Sequence, residues 1–295
     1  MKHILFVYNP VSGTGIVKRK MFEIVNFYNE NDCLITLCPA YKLLHTEESE
    51  VNALLERYDR VIVSGGDGTL NNFLNFSNKI GFNKAVGYIP AGSTNDYAAT
   101  LGLPGNFEET LKTTINGREQ EIDIGRFNGN PFLYVAAFGI FTKVVYTTPQ
   151  INKNIMGHAA YILEGAKQLS DLQKYNLKLT VDDAVYEGSF LLGLVTNSFS
   201  VGGMKNRASL NIELDDGLFE IMFIKAPENI IEFNSLIKAL TFETTEDCEN
   251  IITCKASHVT IEHYSTTEWT LDGEYGGAHD KVEIEIENKK FRIIV

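Results

Sequence analysis

Between Arg60 and Leu70 the chain reads Arg-Val-Ile-Val-Ser-Gly-Gly-Asp-Gly-Thr-Leu: an apolar run, a glycine-rich turn at Ser64–Thr69, and a helix start. Glycines let a backbone come close to a phosphate, and the free N–H groups of a helix start attract one. The spacing is neither G-x-G-x-x-G nor G-x-x-x-x-G-K-[ST], which sets aside the Rossmann dinucleotide and Walker fingerprints. Asp67 is the informative residue. A carboxylate repels a triphosphate unless Mg2+ or ordered water lies between them, so its position argues for a metal-linked nucleotide. An ordinary tight turn with Asp67 as a helix cap is the alternative.

Two other loops have similar chemistry: Asn9-Pro10-Val11-Ser12-Gly13, and Pro90-Ala91-Gly92-Ser93-Thr94-Asn95-Asp96. Taken singly each is a turn, with Ser93 or Asn95 as a cap. Together they point to a shared ligand site, because loops leaving the strands of one parallel sheet emerge at the same edge.

The elements that must position these loops alternate. Ile4–Tyr8, Leu34–Leu37, Arg60–Val63 and Ala85–Ile89 read as strands. Between them, Val17, Met21, Ile24, Val25 and Tyr28 recur at helical spacing, as do Val51, Leu54, Leu55 and Tyr58 behind a Thr46 cap. Asn106-Phe107-Glu108-Glu109 opens a further helix that ends at Asn116-Gly117. Strict alternation predicts a Rossmann-like, three-layer parallel-sheet domain over residues 1–122. Beyond Ile122 the pattern turns strand-rich: an Asn128-Gly129 turn, Leu177–Val181, Ser189–Thr196, Leu218–Lys225, His258–His263 and Lys281–Glu287. Helices are expected near Gly157–Leu169 and Pro227–Leu240, the second opened by its proline. Residues 123–295 therefore read as a β-rich, sandwich-like domain, with Phe291–Val295 as the hairpin partner of Lys281–Glu287 or as a last strand returning to the first domain.

Composition sets limits on partners. The 295 residues are 44% apolar and 22% charged, an ordinary globular balance, and the formal net charge is −12. Such an acidic chain has no basic excess to replace nucleic-acid counterions, so no nucleic-acid partner is expected. No apolar stretch is long enough to span a bilayer, which leaves membrane contact to a local surface patch. The apolar run within Met1–Pro10 is too short for a signal peptide, and Cys33, Cys38, Cys248 and Cys254 lack C-x-x-C spacing. They read as reduced thiols of a cytoplasmic protein. The six histidines, His258 and His263 among them, read as structural. Lys18-Arg19-Lys20 is either a solvated helix face or a contact for phosphates or anionic lipid.

In this order and spacing, Asn9-Pro10-x-Ser12-Gly13, Gly65-Gly66-Asp67-Gly68-Thr69 and Pro90-x-Gly92-Ser93-x-Asn95-Asp96 resemble the diacylglycerol kinase catalytic family, which includes bacterial diacylglycerol kinases, YegS-like lipid kinases, and sphingosine and ceramide kinases. The resemblance continues through Met156–Tyr161, Asn197 with Gly202-Gly203, Leu214-Asp215-Asp216-Gly217-Leu218, and Leu271-Asp272-Gly273-Glu274. It implies an ATP- and Mg2+-dependent kinase that transfers the γ-phosphoryl group to a lipid hydroxyl, met at the inner face of a membrane by peripheral contact. Asn9, Pro10, Ser12, Gly13, Gly65, Gly66, Asp67, Gly68, Thr69, Ser93 and Asn95 would surround ATP, with Asp67 organising Mg2+ and phosphates. Glu274 would be the base for the lipid hydroxyl, facing Asp67. Asp216, the Leu218 carbonyl and Glu213 would hold a structural Mg2+. A homodimer is compatible with the family. Two other readings stay open: a soluble-substrate kinase of the NAD-kinase type, which shares Gly-Gly-Asp-Gly-Thr, and a catalytically weak nucleotide-binding regulator.

The chain departs from the family pattern in places. Ser93 replaces threonine, Asn72 replaces glutamate, and Thr142 stands where aspartate is expected. Tyr134 replaces asparagine, and Pro39-Ala40-Tyr41 lacks a threonine-rich turn. Asp67 and Glu274 are kept, so activity is expected while the acceptor lipid stays open.

Overall fold

The computed structural model describes residues 1–13, 15–93, 95–139, 172–198, 200–201, 204–205, 213–242 and 248–295. The expectations at Thr142, Met156–Tyr161, Gly157–Leu169 and Gly202-Gly203 lie outside the described residues. The chain divides into two compact units, Met1–Ile122 with Lys289–Val295, and Asp123–Asn288. The fold is mixed α/β and rich in strands.

The first unit runs β1 (Lys2–Tyr8), α1 (Ile16–Glu30), β2 (Cys33–Pro39), α2 (Ala40–Leu44), α3 (Glu48–Leu55), β3 (Arg60–Gly65), α4 (Asp67–Lys79), β4 (Val86–Pro90), α5 (Asp96–Thr100) and α6 (Phe107–Asn116). Its strands are parallel in the order β2-β1-β3-β4. Ile4 through Val7 are all buried, as a parallel strand covered on both faces requires. Ile4, Phe6, Ile62 and Ile89 form one core with Val17, Ile24 and Tyr28 of α1 and Leu111 of α6. Leu5, Val7, Val61 and Val63 alternate with them and are equally buried, so they point to the opposite face. Asn106 caps α6 as expected, its Oδ1 accepting the N–H groups of Glu108 at 2.9 Å and Glu109 at 3.4 Å.

The helix after β2 departs from expectation. Thr46 caps nothing; its hydroxyl donates to the Lys42 carbonyl at 2.8 Å, closing the short helix α2. Helix α3 starts at Glu48, behind Glu47.

Strand β5 (Glu119–Phe127) carries the chain into the second unit, which continues through β6 (Asn130–Phe132), β7 (Val135–Gly139), β8 (Tyr175–Val181), β9 (Ala184–Thr196), β10 (Ser200–Val201), β11 (Met204–Lys205), β12 (Phe219–Lys225), α7 (Ile230–Phe242), β13 (Ile251–Ala256), β14 (His258–Leu271) and β15 (Glu274–Ile294). The long strands β9 and β14 each serve two neighbours. Their first halves pair with β8 and their last residues pair with β7, which closes the circuit β9-β7-β14-β8. Phe138, Trp269, Phe190 and Phe223 fill the core, with the Phe138 and Trp269 rings 4.8 Å apart.

Two sequence expectations for this unit are corrected. Helix α7 begins at Ile230, not at Pro227, because Asn229 caps it: its Oδ1 accepts from Ile231 and Glu232, both at 3.0 Å. Phe291–Val295 forms no hairpin with Lys281–Glu287. Both segments belong to the single strand β15, and Ile293 and Ile294 pair in parallel with Val86 and Gly87 of β4. The free edge of β4 offers unpaired backbone groups, and that edge wins over a local turn.

Candidate active site

In the first unit, the loops after β1, β3 and β4 leave the same edge of the sheet and are bonded to one another. The Asn9 N–H donates to the Ser64 carbonyl at 2.9 Å, and Asn9 Nδ2 donates to Thr69 Oγ1 at 3.1 Å. Ser12 Oγ donates to the Ala91 carbonyl at 3.2 Å, and the Ala91 N–H donates to the Gly65 carbonyl at 2.7 Å. Pro10 is half-buried between them. The loops approach so closely that two glycines have no substitute. A Cβ on Gly92 would lie 2.6 Å from Gly66 Cα, and one on Gly13, whose φ is +50°, would lie 2.3 Å from the Ala91 oxygen.

Asp67 is buried at the centre of this lock. Its Oδ2 accepts the Asp96 N–H at 2.9 Å; its Oδ1 accepts the Tyr97 N–H at 3.3 Å and the Tyr88 hydroxyl at 3.4 Å. Asp67 therefore caps a helix, but that helix is α5 rather than its own α4. Asn95, expected as a cap, has a left-handed backbone and bonds Gly92 instead, accepting its N–H at 2.7 Å and donating to its carbonyl at 3.1 Å. Burial, and then the nearby Asp96 charge, push the Asp67 carboxyl up to about 6 against the pull of its three donors.

The residues fit a phosphate-bearing ligand on one direct observation. Gly66 stands at the N-cap of the thirteen-residue helix α4, and no side chain caps that first turn. Gly68 and Thr69 lie in the same turn, and Ser93 is exposed in the loop after β4. A carboxylate offers about four lone-pair directions. Three of Asp67's are taken, so a cation would meet it chiefly through water. Lys20 is engaged with Glu23 at 2.9 Å and sits 4.6 Å from the Phe107 ring centre.

In the second unit, Asp272 and Gly273, with φ of +51° and +81°, form the two-residue turn between β14 and β15. The Asp272 carboxylate is buried and accepts three consecutive backbone N–H groups: Leu133 at 2.7 Å, Tyr134 at 2.9 Å and Val135 at 3.1 Å. Tyr134 is thus tied to the turn. Glu274 follows the turn directly and is exposed.

The 214–218 loop of the same unit is held by Asp123, which sequence reasoning missed. Its Oδ2 accepts the Gly217 N–H at 2.7 Å, and its own N–H donates to the Leu214 carbonyl at 2.7 Å. An aspartate set between Ile122 and Ile124 was the available signal, and the side chain is fully buried. Asn197 Nδ2 donates to the Asp123 carbonyl at 3.3 Å. Asp216 Oδ1 accepts the Leu218 N–H at 3.0 Å, and its Oδ2 lies 2.8 Å from Lys255 Nζ. Glu213 is exposed at the start of the loop. Lys255 and Glu220, likewise missed, lie 3.4 Å apart, and burial pushes the Glu220 carboxyl up to about 7. Glu213, Asp216 and the Leu218 carbonyl are all hard oxygen donors, the set Mg2+ prefers.

Known proteins resemble the chain over most of its length. Residues 3–127 match the family model of the diacylglycerol kinase catalytic domain. The chain is 35% identical over 285 residues to a diacylglycerol kinase of Bacillus subtilis (strain 168), covering 94% of this chain and 91% of that one. It is 28% identical over 276 residues to a diacylglycerol kinase of Staphylococcus epidermidis, covering 94% and 87%. A crystal structure of a diacylglycerol kinase from Bacillus anthracis strain Sterne matches its fold with a TM-score of 0.71 at 23% identity, covering 99% of this chain and 96% of the other.

Proposed function

The chain belongs to the diacylglycerol kinase family, a family of phosphotransferases with an alcohol group as acceptor, and from that premise we propose that it moves the γ-phosphoryl group of ATP to the hydroxyl of diacylglycerol or a close relative. The first unit serves as a Rossmann-like, three-layer nucleotide domain, and the second as a sandwich-like lipid domain. The observation that carries the reading is the interlocked loop set, where Gly66 and Gly92 meet backbone to backbone beside an uncapped helix start.

Asn9, Ser12, Gly13, Gly65, Gly66, Gly68, Thr69, Ser93 and Asn95 bind and orient the triphosphate in this proposal, and Pro10 stiffens the first loop. Asp67 holds the loops in register, with its remaining acceptor capacity turned to the nucleotide's metal shell. Mg2+, when bound, would neutralise phosphate charge. Glu274 accepts the proton of the attacking lipid hydroxyl, and Asp272 fixes the turn that presents it. Glu213, Asp216 and the Leu218 carbonyl would hold the structural cation.

No helix among the described residues is long and apolar enough to cross a membrane, so peripheral contact with a bilayer is the proposed route to the lipid. Transfer of radiolabelled phosphate from γ-labelled ATP to dioleoylglycerol in mixed micelles tests the reading. Label passing to added NAD as NADP and not to lipid would reverse it, and ATP binding with no transfer to any lipid would favour a regulatory role.

A further inference from the structure

Beside the 214–218 loop, the second unit buries oxygen acceptors that make no hydrogen bond. Thr196 of β9, Glu220 of β12 and Lys255 of β13 are directly opposite one another in the antiparallel register, so their side chains share one face of the sheet. Glu220 is 2% exposed, and neither of its carboxylate oxygens makes a hydrogen bond. Thr196 Oγ1 and Asn197 Oδ1 are buried in the same condition. Such groups are rare in folded proteins, and each one points to something that completes it.

Lys255 does so only in part. Its Nζ lies 2.8 Å from Asp216 Oδ2 and 3.4 Å from Glu220 Oε1, so one ammonium is shared by two carboxylates that it holds side by side. With Glu220 ionised, Asp216 and Glu220 set two carboxylates against that one ammonium, a balance of one negative charge. Water would satisfy the oxygens but not the charge. A divalent cation would satisfy both. The donors are all oxygen, with neither thiol nor imidazole among them, which selects a hard ion such as Mg2+ or Mn2+ over zinc or copper.

We propose that Glu220 is a further ligand of the divalent cation at the 214–218 loop, supplying its buried carboxylate, and that Thr196 Oγ1 supports it from the neighbouring strand. The inference rests on the reading of Glu213, Asp216 and Leu218 as a cation loop and adds to it an inner wall. Lys255 then acts as the fixed counter-charge that keeps Asp216 and Glu220 together.

Cation binding to the nucleotide-free full chain decides the matter. Mg2+ titration is followed by calorimetry, and bound Mn2+ is counted by electron paramagnetic resonance. The wild type is expected to bind one ion, Glu220→Gln to bind it at least tenfold more weakly, and Asp216→Asn to show a comparable loss. Circular dichroism in EDTA establishes that each variant is folded. Should Glu220→Gln not fold, Thr196→Val carries the test, with about threefold weaker binding expected and unchanged affinity counting against the proposal. Wild-type affinity in Glu220→Gln beside loss in Asp216→Asn would overturn Glu220 as a ligand and leave the cation loop intact. A wild type that binds no ion would overturn both.

Discussion

The carboxylate of Asp67 accepts the backbone N–H of Asp96 at 2.9 Å, so a residue in the glycine loop after β3 holds the start of the helix after β4. The bond explains how a carboxylate can sit inside a phosphate-type loop without disrupting it: its charge is spent largely on N–H groups of a neighbouring segment. The same bond couples the loop's shape to the position of Asn95 and Gly92.

Replacing Asp67 should separate its two roles. Asp67→Ala removes the acceptor for the Asp96 and Tyr97 N–H groups and is expected to cost about 1–2 kcal/mol, the range of a lost helix cap. Asp67→Asn keeps one acceptor oxygen and removes a buried charge, so it should unfold in urea near the wild-type midpoint while losing most lipid phosphorylation. Equal activity in Asp67→Asn and wild type would reduce Asp67 to a structural cap.

Gly92→Ala tests the close approach of the loops. The new Cβ would meet backbone at Gly66 and the Asn95 amide, neither of which can swing aside. Overpacking of this kind costs about 1–3 kcal/mol, and the Michaelis constant for ATP should rise roughly tenfold as the loops part. Gly105→Ala is the control, since nothing lies within 4 Å of the Cβ position there. It should leave both quantities unchanged.

Glu274→Gln should lower turnover by roughly 10²–10⁴, the span of a lost general base. Because Glu274 is exposed beyond the turn, its folding stability should change by no more than about 0.5 kcal/mol. Steady-state kinetics with ATP and lipid varied separately, beside urea denaturation, give both numbers. Unchanged turnover would remove Glu274 from the mechanism.

His263 gives a pH prediction of known sign. It is packed edge-on against Phe138 and Trp269, with Nδ1 3.2 Å from Thr267 Oγ1 and Nε2 buried without a hydrogen bond. Burial pulls its pKa from 6.5 down to about 4; Asp280 opposes this and His279 adds to it. A depressed histidine pKa means the unfolded chain takes up the proton first as pH falls. Its contribution to stability is therefore complete above about 6.5 and is lost as pH falls toward 4, by about 2–3 kcal/mol at most. Urea denaturation at pH 7 and pH 5 should show a smaller difference in His263→Phe than in the wild type. Equal differences would show that His263 does not titrate in this window.

Local signals carried much of the architecture. The alternation of Ile4–Tyr8, Val17–Tyr28 and Arg60–Val63 reports burial against a sheet, and burial periodicity is written in single residues. Asn106 was legible as a cap for the same reason: its partners are two and three residues away. Asp67 was not, because its partners lie on another loop and no spacing rule connects them. Nor was β15 legible as a single strand. Asn288-Lys289-Lys290 reads as a turn in isolation, and only the waiting edge of β4 turns it into a continuation. Among the candidate site residues, the glycines and Glu274 could be named from motifs. Glu220 and Lys255 could not, since cross-strand register is what brings them to the 214–218 loop.

That register has a consequence for how the protein is made. Ile293 and Ile294 pair beside Val86 and Gly87, so the strand that completes the first unit's sheet is translated after the whole second unit. While the ribosome is still reading residues 123–288, β4 has an open edge and the first unit is unfinished. Its final closure therefore waits on the second unit, and a chain arrested or clipped before Lys289 would expose a ready template for pairing with other chains.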